Sequence, residues 1–149
     1  VRKKIYKFLK SKNYKFINYI DKNANVPNDI KIGENNILLD HVSINPKTFL
    51  GNGNIFWSNS VISHNVKMKD FNWVSSGSII SGETTVGSCN FFGSNSVVSN
   101  NSLIGNNTFF GAGTLISGKI GNNNTFINSK SKRLKIKSTD FLKYIKNDR

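Results

Sequence analysis

The chain has 149 residues, 37% of them hydrophobic, which is the size of a single domain. Its one cysteine, Cys89, excludes an internal disulfide, and the sequence shows neither a secretory signal nor a membrane-spanning stretch, so we expect a cytoplasmic protein. The formal net charge is +13, and the excess lies at the ends: residues 1–22 and 129–149 hold eight Lys or Arg each, whereas residues 23–128 hold five Lys and five acids.

These basic ends have two interpretations. They could form patches for anionic partners, such as cofactor phosphates, a sugar nucleotide or, weakly, an anionic membrane surface. They could equally be solvated segments in which Lys and Asn substitute freely. Nucleic-acid binding is disfavoured, because no recognised nucleic-acid-binding module frames the charges.

The first predicted elements precede the central region of the chain. The sequence predicts a short amphipathic helix over residues 2–10 and a strand over Tyr14–Ile20. We treat residues 1–19 as a helix and strand remnant outside the main domain. Terminal helices of this kind usually cover the open end of a repeat structure, so we expect one here.

From Ile20 to Ile116 every sixth residue is apolar, a period that fits neither an α-helix nor a plain strand. The seventeen positions are Ile20, Val26, Ile32, Leu38, Ile44, Leu50, Phe56, Ile62, Met68, Val74, Ile80, Val86, Phe92, Val98, Ile104, Phe110 and Ile116. We call these the repeat residues. Such a period predicts one short unit, repeated along a parallel β-helix of short strands and tight corners.

A longer period of eighteen residues lies over the period of six. Val61-Ile62-Ser63, Ile79-Ile80-Ser81 and Val97-Val98-Ser99 are spaced by eighteen, which predicts three hexads per coil and a triangular prism. The register breaks once, by two residues, between Ile116 and Ile120.

Small and turn-forming residues mark the corners of the predicted prism. We expect a set of glycines and the many asparagines to turn the chain, since both tolerate positive φ. The glycines that directly follow repeat residues, or Ile120 beyond the register break, are Gly33, Gly51, Gly87, Gly93, Gly105, Gly111 and Gly121. Small side chains two positions before the repeat residues, such as Ser60 and Ser78, should fill the inside of the corners.

The prism ends near residue 128, and residues 129–149 form a basic tail. Within the tail, Ser138 or Thr139 is a suitable N-cap for a short helix over Phe141–Lys146.

Hexads of the type Ile-Gly-x-x-x-x, three to a coil, make residues 20–128 resemble the left-handed β-helix acyltransferases of the hexapeptide-repeat family. The resemblance implies an all-β, left-handed parallel β-helix with short terminal helices, and a homotrimer that uses acetyl-CoA. It also implies a preceding nucleotide-sugar-binding domain, of which we expect residues 1–19 to be only the final helix and strand. A zinc enzyme of the same fold is disfavoured, because two histidines cannot supply three histidine ligands, and we expect no metal.

The run Ser63–Gly77 resembles the subgroup that acetylates amino sugars and sialic acids in bacterial surface glycan synthesis. In that subgroup a histidine at the end of a coil is the general base, and His64 matches it, followed by Asp70 and Gly77. A histidine's ordinary pKa near 6.5 suits proton removal at neutral pH. Gly82, eighteen residues after His64, matches the glycine whose N–H stabilises the oxyanion.

The same edge supplies the expected cofactor site. The resemblance implies a groove for the pantetheine arm of acetyl-CoA along the prism edge, past Gly82, Asn100 and Gly118, which follow one another at intervals of eighteen. The acid that often follows the catalytic histidine is replaced by Asn65. Since Glu83 lies eighteen residues after Asn65, we expect Glu83, or a backbone carbonyl, to orient His64.

Other interpretations remain open at this level. The chain could be an acyltransferase of the same fold with another small acceptor, or a truncated, non-catalytic β-helix used for assembly. His41 falls on a different edge from His64 and is expected to be structural or solvent-facing. A lone cysteine such as Cys89 is more often a buried filler than a nucleophile.

Overall fold

The computed structural model describes residues 1–129 together with residues 131, 133, 135, 137, 138 and 140. In this described part of the chain, helix α1 (Arg2–Ser11) precedes eighteen strands of two residues each. The strands are β1 (Tyr19–Ile20), β2 (Lys31–Ile32), β3 (Ile37–Leu38), β4 (Ser43–Ile44), β5 (Phe49–Leu50), β6 (Ile55–Phe56), β7 (Val61–Ile62), β8 (Lys67–Met68), β9 (Trp73–Val74), β10 (Ile79–Ile80), β11 (Thr85–Val86), β12 (Phe91–Phe92), β13 (Val97–Val98), β14 (Leu103–Ile104), β15 (Phe109–Phe110), β16 (Leu115–Ile116), β17 (Lys119–Ile120) and β18 (Thr125–Phe126).

Every third strand belongs to the same parallel sheet, so the chain winds around three flat faces. Face A contains β1, β3, β6, β9, β12, β15 and β18; face B contains β4, β7, β10, β13 and β16; face C contains β2, β5, β8, β11, β14 and β17. Paired residues lie eighteen positions apart, as Ile80 does from Ile62 and from Val98. The predicted fold, a left-handed parallel β-helix with three hexads per coil, is confirmed.

The two-residue deletion is also where the sequence predicts it. Ile104 pairs with Ile120 and Phe110 with Phe126, sixteen residues apart in both cases. The coil therefore closes with a shortened turn between β16 and β17, and the stacking of the faces continues beyond it.

The repeat residues form the core of the prism from Leu38 onward. All fourteen from Leu38 to Ile116 are at most 4% exposed. Val26 and Ile32 are partly buried and Ile20 is 44% exposed, because they lie in the first coils, with little or no coil beneath them. Each fully buried aliphatic or aromatic side chain contributes about 1.5–3 kcal/mol of transfer free energy, which makes this column the main source of stability.

The expectation that the glycines after the repeat residues turn the chain is wrong. Positive φ occurs two positions later, three residues after the repeat residue, as at Asn59 (φ 61°), Asn65 (57°) and Glu83 (60°). The glycines that directly follow the repeat residues are required for a different reason, which is the close packing of stacked turns. A Cβ on Gly87 would lie 2.4 Å from the carbonyl oxygen of Gly105 in the next coil, so the close approach of stacked turns excludes a side chain there.

The small inward residues are buried as expected, but one edge uses asparagine instead. Between faces C and A, the buried residues Asn36, Asn54, Asn72 and Asn90 form a ladder. Each side-chain oxygen accepts a hydrogen bond from the backbone N–H of the residue eighteen positions later, for example Asn72 from Asn90 at 2.9 Å. Backbone groups that the turns leave unpaired are satisfied in this way.

Helix α1 does not cover the open end of the prism, contrary to our expectation. It lies along the edge between faces C and A, where the Arg2 guanidinium donates to the carbonyl of Gly53 (3.1 Å) and the Tyr6 hydroxyl donates to Glu34 (2.6 Å). Lys10 forms an ion pair with Glu34 at 2.8 Å. None of the residues of α1 is fully buried, so these polar contacts and the Tyr6 ring, 5.3 Å from the ring of Phe71, hold it.

Two further expectations at the ends need comment. The strand predicted over Tyr14–Ile20 is reduced to the two residues of β1, which pair with Ile37 and Leu38. The C-terminal helix predicted over residues 141–146 lies outside the described residues.

Candidate active site

His64 lies on the edge between faces B and C, in the turn that follows β7. Stacked turns on this edge are joined by backbone hydrogen bonds, from Asn65 N to Pro46 O (3.2 Å) and from Glu83 N to His64 O (3.1 Å). Pro46, His64, Gly82 and Asn100 are stacked at intervals of eighteen, and Gly118 lies in the shortened turn above them on the same edge. We call these five residues the His64 column. "Above" and "below" here mean toward later and earlier coils.

The imidazole of His64 lies directly against the backbone of Gly82. A Cβ on Gly82 would lie 2.7 Å from both Nε2 and Cε1 of His64, which is closer than such atoms approach in proteins. The ring can occupy this place only because residue 82 has no side chain. The His64 side chain is 57% exposed, so a ligand on this edge can reach it.

Gly82 itself is buried, and its backbone N–H differs from those of its neighbours in having no backbone acceptor among the described residues. Its neighbours are engaged, since Ser81 N donates to Val98 O (3.0 Å) and Glu83 N donates to His64 O (3.1 Å). Within the described part of the chain, the N–H of Gly82 makes no backbone hydrogen bond. An N–H without a backbone acceptor, beside an imidazole, is the combination that stabilises an oxyanion next to a general base.

Asn65 lies between His64 and Glu83. Its side-chain Nδ2 donates to Glu83 Oε1 at 2.7 Å and lies 3.1 Å from His64 Nδ1. The Glu83 carboxylate itself is 3.9 Å from His64 Nδ1, which is too long for a direct hydrogen bond. Our sequence reasoning placed Asn65 under Glu83 but missed that its amide bridges the two ionisable groups.

This bridge bears on which ring nitrogen can accept a proton. When the amide donates to Nδ1, the neutral ring carries its proton on Nε2, and Nε2 cannot act as a base. If Nδ1–H instead donates to Glu83 Oε1, the neutral ring has its lone pair on Nε2, which can then accept a proton. Closing the 3.9 Å separation by less than about 1 Å, with the Asn65 amide turned aside, reaches that arrangement.

The upper part of the column is open. Asn100 is exposed, and an added Cβ on Gly118 would find no atom within 4 Å. Asn101 N donates to Gly82 O (3.0 Å), which stacks the turn of Asn100 on that of Gly82. The structure therefore brings Gly82 and Asn100 onto one edge with His64, as the eighteen-residue period predicts. Gly118 lies in the shortened turn on the same edge, but its carbonyl accepts from Leu103 N (2.9 Å), as Ser102 O accepts from Thr85 N one coil below, so it stacks over Ser102 rather than Asn100.

Other residues that carry chemistry lie on other edges. Asp70, which matches the subgroup signature, accepts from the backbone N–H of Asn52 (2.7 Å) between faces C and A and does not approach His64. Cys89 lies on that same edge, 3.6 Å from the Lys3 amine. His41 is exposed between faces A and B at φ 56°.

The described residues contain neither a metal-ligand cluster nor a membrane-spanning helix. No group of three His, Cys, Asp or Glu side chains is close enough to bind a metal ion in this part of the chain. Within the same residues, α1 is too short and too charged to cross a membrane, and no other helix that could do so is present.

No protein-family model matches the sequence, and no curated protein is significantly similar to it. Solved structures do share its fold. The acetyltransferase domain of PglB from Neisseria gonorrhoeae FA1090, in complex with acetyl coenzyme A, superposes with a TM-score of 0.83 at 22% identity. The match covers 89% of this chain and 65% of that domain.

Two further structures broaden this comparison. A mutant of GDP-perosamine N-acetyltransferase from Caulobacter crescentus, in complex with CoA and GDP-perosamine, gives a TM-score of 0.83 at 22% identity and covers 88% of this chain and 62% of that chain. AntD, an N-acyltransferase from Bacillus cereus in complex with dTDP and 3-hydroxybutyryl-CoA, superposes with a TM-score of 0.69 at 16% identity. That match covers 96% of this chain and 94% of the AntD chain. At these identities the likeness shows the fold. The chain spans less than two thirds of the length of the first two proteins.

Proposed function

We propose that this protein transfers an acetyl group from acetyl-CoA to an amino or hydroxyl group of a sugar. The observation that carries the proposal is the contact between the His64 imidazole and the bare backbone of Gly82, whose N–H makes no backbone hydrogen bond among the described residues. Because the ring and this N–H are adjacent, the base can act on the acceptor while the N–H binds the carbonyl oxygen of the thioester.

In this mechanism His64 Nε2 removes the proton from the acceptor amine or hydroxyl as that group attacks the thioester carbonyl carbon. The carbonyl oxygen becomes an oxyanion that accepts a hydrogen bond from Gly82 N–H, which is a term of several kcal/mol in related reactions. When the C–S bond breaks, the proton held by His64 passes to the leaving sulfur. The products are the acetylated acceptor and CoA with a free thiol. No nucleophile on the protein is needed.

Glu83 has a positioning role in this proposal. A hydrogen bond from His64 Nδ1–H to Glu83 would fix the ring with Nε2 toward the acceptor and offset the charge of the transient imidazolium. Asn65 would then release the carboxylate, or turn its own oxygen toward Nδ1, as substrate binds.

The names of the structural neighbours support the same chemistry. The PglB domain and the perosamine enzyme are acetyltransferases, and AntD is an N-acyltransferase; the complexes contain acetyl-CoA, CoA or an acyl-CoA. We place the pantetheine arm along the upper part of the His64 column, past Asn100 and Gly118, because that part of the edge is open. Two of these complexes also hold GDP-perosamine or dTDP, which favours a nucleotide-linked acceptor.

The experiment that tests the proposal measures thiol release from acetyl-CoA with a panel of amino-sugar nucleotides and sialic acid. We expect release that requires both acetyl-CoA and one class of acceptor. In His64→Ala the rate should fall by about 10²–10⁴-fold, the range for loss of a general base. Binding of acetyl-CoA by His64→Ala should persist, which serves as the folding control.

Two results would overturn the proposal. Equal turnover by the wild type and His64→Ala would remove His64 from the mechanism. Failure of the folded wild-type protein to bind acetyl-CoA would favour the alternative of a non-catalytic assembly module.

A further inference from the structure

The charges of the prism balance in number but are separated in space. Residues 23–128 hold five Lys and five acids. Four of the five lysines line one groove of about 620 Å³ on face C, together with a single acid, Asp29. The four are Lys31, Lys47, Lys67 and Lys69. We call this the lysine groove.

The positive charge of the lysine groove is not neutralised by the protein. Among the described residues, no carboxylate oxygen lies within 4.0 Å of any of the four ammonium groups. The carboxylate of Asp29 accepts a hydrogen bond from the backbone N–H of Lys47 (3.2 Å) rather than pairing with an ammonium group. Four exposed like charges around one concavity repel one another unless an anion lies among them.

An aromatic ring lies in the middle of the charges. Parallel pairing places Phe49 between Lys31 on one side and Lys67 on the other, one strand spacing of about 4.8 Å away in each direction. Phe49 is 45% exposed although it is a large apolar residue. Ammonium groups suit phosphate oxygens, and an exposed ring suits the face of a planar base, so the groove fits a ligand that has both.

The lysine groove adjoins the lower end of the His64 column. Lys47 is in the turn directly below Asn65, as the bond from Asn65 N to Pro46 O shows, and Lys67 follows His64 by three residues. The proposed path of acetyl-CoA runs the other way, upward past Asn100. A second substrate bound in the groove would therefore meet the thioester at His64 from below.

We propose that the lysine groove binds the diphosphate and base of a nucleoside-diphosphate-linked sugar and so presents the sugar to His64. The delivery of the sugar for acetylation rests on the function proposed above, whereas the binding of the nucleotide part does not. The phosphates lie among Lys31, Lys67 and Lys69, and the base stacks on Phe49.

The test is calorimetric titration of UDP, GDP, dTDP, inorganic pyrophosphate and CoA into the wild type and three variants. In the double variant Lys31→Gln/Lys67→Gln the affinity for the nucleoside diphosphates should fall at least tenfold, while the affinity for CoA stays the same. Lys119→Gln is the matched control, because Lys119 is the fifth lysine of the prism and lies on face C outside the groove. It should bind all ligands as the wild type does.

Phe49→Ala distinguishes recognition of the base from recognition of the phosphates. This substitution should lower the affinity for the nucleoside diphosphates about tenfold and leave the affinity for pyrophosphate unchanged. Thermal melts of each variant check folding; because all the substituted side chains are exposed, the melting temperatures should stay close to that of the wild type.

The inference is overturned if the double variant binds nucleoside diphosphates as tightly as the wild type, or if its CoA affinity falls in parallel, which would make the groove a cofactor site. These failures are distinct from failure of the proposed function. If the double variant transfers acetyl groups with an unchanged KM for a nucleotide sugar, the proposed role of the lysine groove is wrong and the proposed enzymatic function stands. If nucleotide binding depends on the lysines but the protein transfers no acetyl group, the proposed enzymatic function is wrong and the binding site stands.

Discussion

At the scale of single residues, the absence of a side chain at position 82 is as important as the imidazole at position 64. In Gly82→Ala the new methyl group would lie 2.7 Å from two ring atoms of His64, so the ring must rotate away. We expect kcat for acetyl transfer to fall at least tenfold, with the fold and the melting temperature retained. Gly121→Ala is the matched control, since its Cβ would meet only Asn124, at an ordinary 3.6 Å. Equal losses in both variants would contradict the proposed role of Gly82.

The Asn65 bridge makes a second prediction at this scale. Glu83→Gln keeps the size of the side chain but removes its charge, and should lower kcat about tenfold without changing the KM for acetyl-CoA. Asn65→Gly, which tolerates the φ of 57° at this position, removes the competing amide and should keep kcat within about threefold of the wild type. Steady-state kinetics and pH–rate profiles of both variants test this. An unchanged profile in Glu83→Gln would show that Glu83 does not position His64.

At the scale of elements, helix α1 depends on one ionisable cluster. The ion pair with Lys10 and the hydrogen bond from Tyr6 lower the pKa of Glu34 below 4.5. Burial and the hydrogen bond to Glu34 raise the pKa of Tyr6 from 10.0 to about 12. The Glu34 contacts therefore stabilise α1 above pH 4.5 and are lost as the pH falls through the lowered pKa. The hydrogen bond that neutral Tyr6 donates to Glu34 contributes its full stabilisation below pH 10, and this contribution is lost as the pH rises toward 12.

We therefore expect the docking of α1 to be strongest between about pH 5 and pH 10. It should weaken progressively outside that window and be lost below the lowered pKa of Glu34 and above about pH 12, before the prism unfolds. Hydrogen exchange of residues 2–11 measured against the core strands tests this prediction. Glu34→Gln should lose protection of α1 already at pH 7. Uniform protection of α1 from pH 3 to pH 7 in the wild type would contradict it.

The elements also show what the sequence could and could not predict. The six-residue and eighteen-residue periods of the sequence predicted the coil architecture of β1–β18, the deletion after Ile116 and the stacking of Gly82 on His64. They could do so because each coil repeats the geometry of the previous one. The path of α1 has no such period; it depends on two hydrogen bonds and an ion pair with Gly53 and Glu34. The lysine groove was missed because Lys47 and Lys69 lie in turns, out of register with Lys31 and Lys67.

Over the whole molecule, face A has an apolar outward surface on which Phe109 is 43% exposed and Trp73 and Phe91 are half-buried. Outward rings stack along it, with Phe91 5.0 Å from Phe109 and 6.2 Å from Trp73 between centroids. Large exposed apolar patches usually mark interfaces, and we propose that face A packs against a second copy of the chain in a homotrimer. Phe109→Glu should then give monomers.

Leu103→Glu is the matched control for this assembly. Leu103 is exposed to a similar degree, 49% against 43% for Phe109, but points outward from face C. Light scattering after size-exclusion chromatography should find three times the mass of the chain for the wild type and Leu103→Glu. A monomeric wild type, or a trimer that survives Phe109→Glu, would contradict the use of face A.

The proposed mechanism makes His64 the general base for acetyl transfer on this edge of the prism. The most direct test follows radiolabelled acetyl groups from acetyl-CoA into a nucleotide-linked amino sugar, comparing the wild type with His64→Ala and His41→Ala. We predict that the wild type and His41→Ala label the sugar at similar rates, and that His64→Ala is slower by about 10²-fold or more. Labelling by His64→Ala at the wild-type rate would contradict the account.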